Sequence, residues 1–144
     1  MKNISVLLIL LIASLLLGAC GGSSEELTIQ SAWARPASVG ANGAAYFVIE
    51  NGAGTDDTLL SVSSEIASAT EVHMSMEMDG GVMSMQMQES VPVPAKGTVE
   101  FKPGGLHVMF VELTQDLKVG ETIILVFNFE HAGAKTIEVP IREP

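Results

Sequence analysis

The sequence predicts an all-β domain, an antiparallel β-sandwich or barrel of Greek-key type. Three observations lead to it. From Leu27 onward, short apolar stretches are broken by turn residues at roughly eight- to twelve-residue spacing. Helical periodicity is almost absent over the same span. Alternation of period two is clear near the end of the chain, with Ile123, Leu125, Phe127 and Phe129 on one face of a strand and Ile137, Val139 and Ile141 on one face of the next. Short strands in this pattern build either a sandwich or a barrel, and alternation alone does not choose between them. No internal repeat and no second domain is evident.

The strands follow in order. Leu27, Ile29, Ser31 and Trp33 alternate as the first. Residues 44–50 form the second, closed by Asn51-Gly52 and a polar run to Asp57, and residues 58–63 form the third. The stretch 64–69 is the one place where a helical turn is expected. Strands at 70–78 and 82–88 flank Asp79-Gly80-Gly81, a hairpin signal because glycine tolerates positive φ. Pro92 and Pro94 exclude a central strand, so 89–97 reads as an edge or loop segment. Strands at 98–102, 107–113, 122–129 and 135–141 complete the domain, separated by breaks such as Pro103-Gly-Gly105 and Lys118-Val-Gly120.

Residues 1–19 read as a signal peptide rather than as part of the fold. Lys2 gives a positive start, and the apolar run from Ile4 to Leu17 is shorter than the ~20 residues that cross a bilayer. The ending Leu17-Gly-Ala-Cys20 looks like a bacterial lipoprotein cleavage box, with Cys20 as the lipidated first residue; ordinary secretion with an incidental cysteine is the weaker alternative. Residues 20–26 would then be anchor and flexible tether, and 27–144 one domain with a proper core. An extracytoplasmic, membrane-anchored protein is expected.

Charge and cysteine usage exclude several classes. A formal net charge of −10 argues against nucleic acid and weakly favours cationic partners. Cys20 is the only cysteine. With it committed to a lipid, no thiol remains for a disulfide, a zinc–thiolate site, a nucleophile or a blue-copper centre.

The chemistry concentrates in residues 71–113. Two of the three histidines and seven of the eight methionines lie there. Thioether sulfur and neutral imidazole form a soft ligand set that favours Cu(I) over hard cations. Strand alternation puts His73 on one face with Ser75 and Glu77, and Met74, Met76 and Met78 on the other. Met83, Met85 and Met87 share a face, as do His107, Met109, Val111 and Leu113. His131, in a polar turn, reads as an ordinary hydrogen-bonded residue.

The spacing His73-Met74, ten residues, Met85, twenty-one residues, His107, one residue, Met109 resembles the H(M)-x10-M-x21-H-x-M signature of the PCu(A)C family of periplasmic copper chaperones. Ser31-Ala-Trp-Ala-Arg-Pro36, Asn42-Gly-Ala-Ala-Tyr-Phe47, Gly81-Val-Met-Ser-Met85, Val91-Pro-Val-Pro94 and Lys102-Pro-Gly-Gly105 resemble the family as well, over roughly residues 27–141. The resemblance implies a cupredoxin-like sandwich that holds one Cu(I) per chain. His73 and His107 would give imidazole nitrogen, and Met85 and Met109 thioether sulfur. Met74 occupies the bracketed position of the signature. The four ligands come from three strand segments, which would have to converge, as strand ends and loops do at one end of a sandwich. Some relatives carry a His- and Met-rich C-terminal extension with a second copper site; this chain runs to Ile141-Arg-Glu-Pro144 without it, so one site is expected. The resemblance further implies delivery of copper to the Cu(A) or a related centre of a cytochrome c oxidase subunit, with a thioredoxin-like assembly factor as a second partner.

No catalytic signature competes: neither a Gly-x-Ser-x-Gly elbow nor a His-Glu-x-x-His motif occurs. Glu71 and Glu77 read as surface charge, and no enzyme is expected. Two other readings stand beside the chaperone: copper storage or tolerance, and a metal-free interaction module with a Met-rich patch. For Met74, Met76, Met78, Met83 and Met87, core packing, hairpin-face packing or partner contact is at least as good a reading as ligation.

Overall fold

A computed structural model describes residues 26–78 and 80–144. The expected signal peptide, the Cys20 anchor and all but the last residue of the tether lie outside the described residues, as does Asp79 at the hairpin tip. Ten strands run in the order β1 (Leu27–Ala34), β2 (Gly43–Asn51), β3 (Asp57–Ser63), β4 (Ala67–Met78), β5 (Val82–Met87), β6 (Val91–Val93), β7 (Thr98–Phe101), β8 (Leu106–Leu113), β9 (Thr122–Phe129) and β10 (Gly133–Pro140). They form a six-stranded sheet, β1-β2-β7-β8-β4-β5, and a four-stranded sheet, β10-β9-β3-β6. The all-β, two-sheet architecture is the one expected, and among the described residues there is no helix.

Alternation decides what faces inward. Phe47 and Ile49 of β2, Val72 of β4 and Val108 and Phe110 of β8 are buried, as are Ile123, Leu125, Phe127 and Phe129 of β9 and Val139 of β10. Phe47 joins the two layers: it stacks on Phe101 at 4.2 Å between ring centroids and meets Phe127 edge-on at 4.9 Å. Each such side chain removed from water contributes ~1.5–3 kcal/mol.

Two buried polar groups staple the loops. The Asn51 side-chain amide donates to the Thr55 and Val93 carbonyls, and its oxygen accepts from the Ala53 amide. The Asp57 carboxylate accepts from the backbone N–H groups of Thr58, His131 and Ala132. His131 thus belongs to a structural turn.

Three local details differ from the sequence reading. Residues 64–66 make a turn with no helix, because Ile66 is buried and its carbonyl accepts from Thr114, which draws Ala67 straight into the ladder opposite Leu113. Residues 91–93 form an edge strand, in keeping with the edge or loop segment expected there, and Pro92 costs no ladder bond. Ser31 takes a φ of 54°, and the β1–β2 register shifts between Gln30 and Trp33. This bulge breaks the alternation and sets Trp33 against Tyr46. Leu113, expected to share a face with Met109, is buried in the core cluster just after Glu112, whose φ is 51°.

Candidate metal centre

Strand β4 is hydrogen-bonded between β8 and β5, and this placement assembles the site. Across β4 and β8, His73 lies opposite His107 and Glu71 opposite Met109. Across β4 and β5, Ser75 lies opposite Met85 and His73 opposite Met87. Directly opposed residues share a face of the sheet. Val72, Val108 and Phe110, the alternate residues, point into the core, so His73, Met85, His107 and Met109 all stand on the outer face. Lateral register brings them together where β8 begins, beside the 103–105 turn, because three adjacent strands carry them.

The two imidazoles are oriented by their neighbours. His107 is only 7% exposed. Its Nδ1 lies 3.0 Å from the Gly105 carbonyl, which can only accept, so in the neutral ring Nδ1 carries the proton and Nε2 keeps its lone pair. His73 has the opposite tautomer. Its Nε2 lies 2.7 Å from Glu71 Oε2 and donates to that carboxylate, leaving Nδ1 as the lone-pair nitrogen. That Nδ1 is buried and has no hydrogen-bond partner among the described residues, an arrangement native structures seldom leave unexplained. The rings are 6.0 Å apart between centroids and tilted by 43°. A carboxylate or carbonyl behind each ring, with the opposite nitrogen free, is how proteins prepare histidine to ligate a metal.

The thioethers supply the rest. Met85, Met109, His107 and Ser75 line a groove of about 520 Å³, rimmed by Arg35, Tyr46 and the 103–104 turn. The His73 ring is not part of the groove lining and lies next to that of His107. Met109 is half-buried, whereas Met85 is 60% exposed on β5, the edge strand. Among the described residues, no three His, Cys, Asp or Glu side chains converge in a way that could hold a metal. The donors beside the two imidazoles on this face are the Met85 and Met109 thioethers, a set that favours a soft monovalent ion.

Glu71, expected as surface charge, is instead the partner that sets the His73 tautomer. The signal in the sequence was its i, i+2 relation to His73, which puts both on one face. The remaining methionines are not core filler: Met74 is half-buried, and Met76, Met78, Met83 and Met87 are exposed.

Over residues 27–141 the sequence matches the profile of the LpqE-like lipoprotein family. Lxx21020 of Leifsonia xyli subsp. xyli, named as a lipoprotein, is 24% identical over 123 residues, which span 85% of this chain and 74% of that one. Among solved structures, the copper-bound PCuAC domain from PmoF2 superposes with a TM-score of 0.69 at 24% identity, over 83% of this chain and 94% of that domain. Cu(I)-bound DR1885 from Deinococcus radiodurans superposes with a TM-score of 0.65 at 24% identity, over 86% and 85%. The fold is thus that of PCuAC domains.

Proposed function

The chain belongs to the LpqE-like family, and on that premise we propose that it is a metallochaperone that binds one Cu(I) through His73, Met85, His107 and Met109 and passes it to an acceptor protein. One observation carries the proposal. Two histidines stand opposite each other on one sheet face, each with one nitrogen tied to an acceptor and the other free. The copper named for the PmoF2 domain and for DR1885 supports the choice of metal.

Release follows from the uneven exposure of the ligands. The His107 ring and His73 Nδ1 are buried and fixed, while Met85 is exposed on an edge strand. An acceptor's thiolate, thioether or imidazole would displace Met85 first, then Met109, and take the ion from the histidines last. No bond is made or broken within the protein, and no redox change is needed. Transfer to the Cu(A) centre of cytochrome c oxidase, directly or through a thioredoxin-like assembly factor, is the destination we propose. The lipidated Cys20 would hold the domain at the outer face of a membrane, in keeping with the lipoprotein name of its relative.

The test is an anaerobic Cu(I) titration against a chromophoric chelator. The wild type should retain its first equivalent tightly, and the His73→Ala/His107→Ala variant should lose it. Equal retention by both would remove the histidines as ligands, and no retention by the wild type would leave a Met-patched interaction module.

A further inference from the structure

A sheet edge is open to pairing with another strand unless something blunts it. Among the described residues the two sheets have four edges, and three are blunted. Strand β6 is three residues long with Pro92 at its centre, β10 carries Lys135, Glu138 and Pro140, and β1 is broken by the bulge at Ser31. Strand β5 is the fourth edge, and residues 82–88 contain neither proline nor charge.

Register shows what β5 leaves unpaired. The Gln88 N–H donates to the Val72 carbonyl at 2.8 Å, continuing the register that sets Met74 opposite Gln86. In an antiparallel ladder, alternate pairs exchange backbone hydrogen bonds. Val82, Ser84, Gln86 and Gln88 therefore turn their N–H and C=O groups to β4, and Met83, Met85 and Met87 turn theirs to the open side. Among the described residues these outward groups meet no further strand; the Met87 carbonyl accepts only from the Gln88 side chain, at 3.4 Å. The side chains of Met83, Met85 and Met87 are also in water, at 54%, 60% and 59% exposed.

Met83-Ser-Met-Gln-Met87 reads almost the same in both directions. Two copies paired antiparallel about Met85 set Met83 opposite Met87, Met85 opposite its counterpart and Ser84 opposite Gln86. The methionine pairs give every outward N–H and C=O group a backbone partner, and the close Ser84–Gln86 pairs bring hydroxyl to amide. A two-residue shift one way sets Glu89 opposite Met83, and the other way sets Gly81 opposite Met87, so the register centred on Met85 is favoured.

We infer that β5 is a self-association edge, through which two copies of this chain pair antiparallel over residues 82–88 about a two-fold axis at Met85. The same patch serves both copies, so the contact closes on itself, and the bulge on β1 stops growth at the far edge. The formal net charge of −10 repels a second copy, but the seam itself is uncharged and physiological salt screens the rest beyond ~8 Å. A seam one strand wide falls below the ~1,200 Å² of stable interfaces, so the pair is weak and reversible, with a dissociation constant on the order of 0.1 mM. Pairing covers Met85, so copper release slows as the protein concentrates; this consequence alone rests on the proposed ligand set.

The test uses the full chain without copper, in density-matched detergent, by sedimentation equilibrium and amide hydrogen exchange from about 10 µM to about 1 mM. The wild type should pass from monomer to dimer. Over that range the Met83, Met85 and Met87 amides should become slow to exchange, while those of Ser84 and Gln86, bonded to β4, are slow throughout. Met83→Pro/Met87→Pro removes two outward N–H groups and no bond to β4, and should stay monomeric. Met83→Lys/Met87→Lys opposes like charges across the seam and should stay monomeric, whereas Met83→Lys/Met87→Glu opposes unlike charges and should pair. A wild type monomeric at the highest concentration would overturn the inference and leave the edge to a strand of another protein. A dimer that survives the proline changes, or that leaves the three outward amides fast, would overturn it as well. Because copper is absent, neither result bears on the histidine centre.

Discussion

Replacing Glu71 by alanine separates the tuning of the metal centre from the stability of the fold. Among the described residues, the Glu71 carboxylate is the one hydrogen-bond partner of His73 Nε2, at 2.7 Å. It fixes the proton there and frees Nδ1, which is buried beside the His107 ring. Without it, the neutral ring can place its proton on Nδ1, and that tautomer has no lone pair to offer in the site. The ring also loses its restraint against rotation. Loss of such an outer partner costs about 10–100-fold in metal affinity, or ~1.4–2.8 kcal/mol. Stability should change little, because the Glu71 side chain is 36% exposed and a single hydrogen bond that water can replace contributes only about 0.5–1.5 kcal/mol. Glu71→Gln keeps an acceptor oxygen at the same reach and should fall between the wild type and Glu71→Ala. Chelator competition gives the affinity, and ¹⁵N spectra of His73 give the tautomer. A Glu71→Ala affinity within twofold of the wild type would refute the reasoning.

Further outcomes follow from the same geometry. Met85→Ala/Met109→Ala should lose most of the first-equivalent Cu(I) affinity while keeping wild-type circular dichroism, since Met85 is exposed and Met109 half-buried; undiminished binding would show that the ligands are assigned wrongly. Phe47→Ala removes the ring that contacts both Phe101 and Phe127 and should cost ~3–5 kcal/mol in urea unfolding, with a loss under ~1.5 kcal/mol contradicting its central place. Burial raises the Asp57 pKa, but the backbone N–H groups of His131, Thr58 and Ala132 and the charge of His131 outweigh it, so the carboxyl ends below its ordinary value. Its stabilising contribution is therefore present above the unfolded-state pKa of ~3.9 and is lost as pH falls through the lower folded value. Urea melts between pH 7 and 2 should show this loss in the wild type, and Asp57→Asn should be less stable at neutral pH with a shallower decline; parallel curves would contradict it.

Much of this was legible in the sequence, and the limits have physical causes. Period-two alternation identified the inward faces of β9 and β10 without help, because each has one face in the core. It also assigned His73 and the Met74 row to opposite faces of β4. It could not reveal that β4 sits between β8 and β5, since strand order is a nonlocal pairing. The three segments were expected to converge at one end of the sandwich, and the convergence arises from register: His107, second residue of β8 and next to the 103–105 turn, lies opposite His73. Strand β6, three residues long with a central proline, is too short to show a period. The bulge at Ser31 and the left-handed turn at Glu112 occur at residues that carry no glycine signal. Glu71 was read as surface charge, because alternation says which way a side chain leaves the strand and not whether it turns back to a ring.

The most direct measurement is X-ray absorption at the copper edge, on the full chain loaded anaerobically with one equivalent of Cu(I). The account predicts a first shell of two nitrogen and two sulfur scatterers, with the nitrogen contribution lost in His73→Ala/His107→Ala. A shell of oxygen scatterers, or one unchanged in that variant, would contradict the claim that these two histidines and their methionines hold the ion.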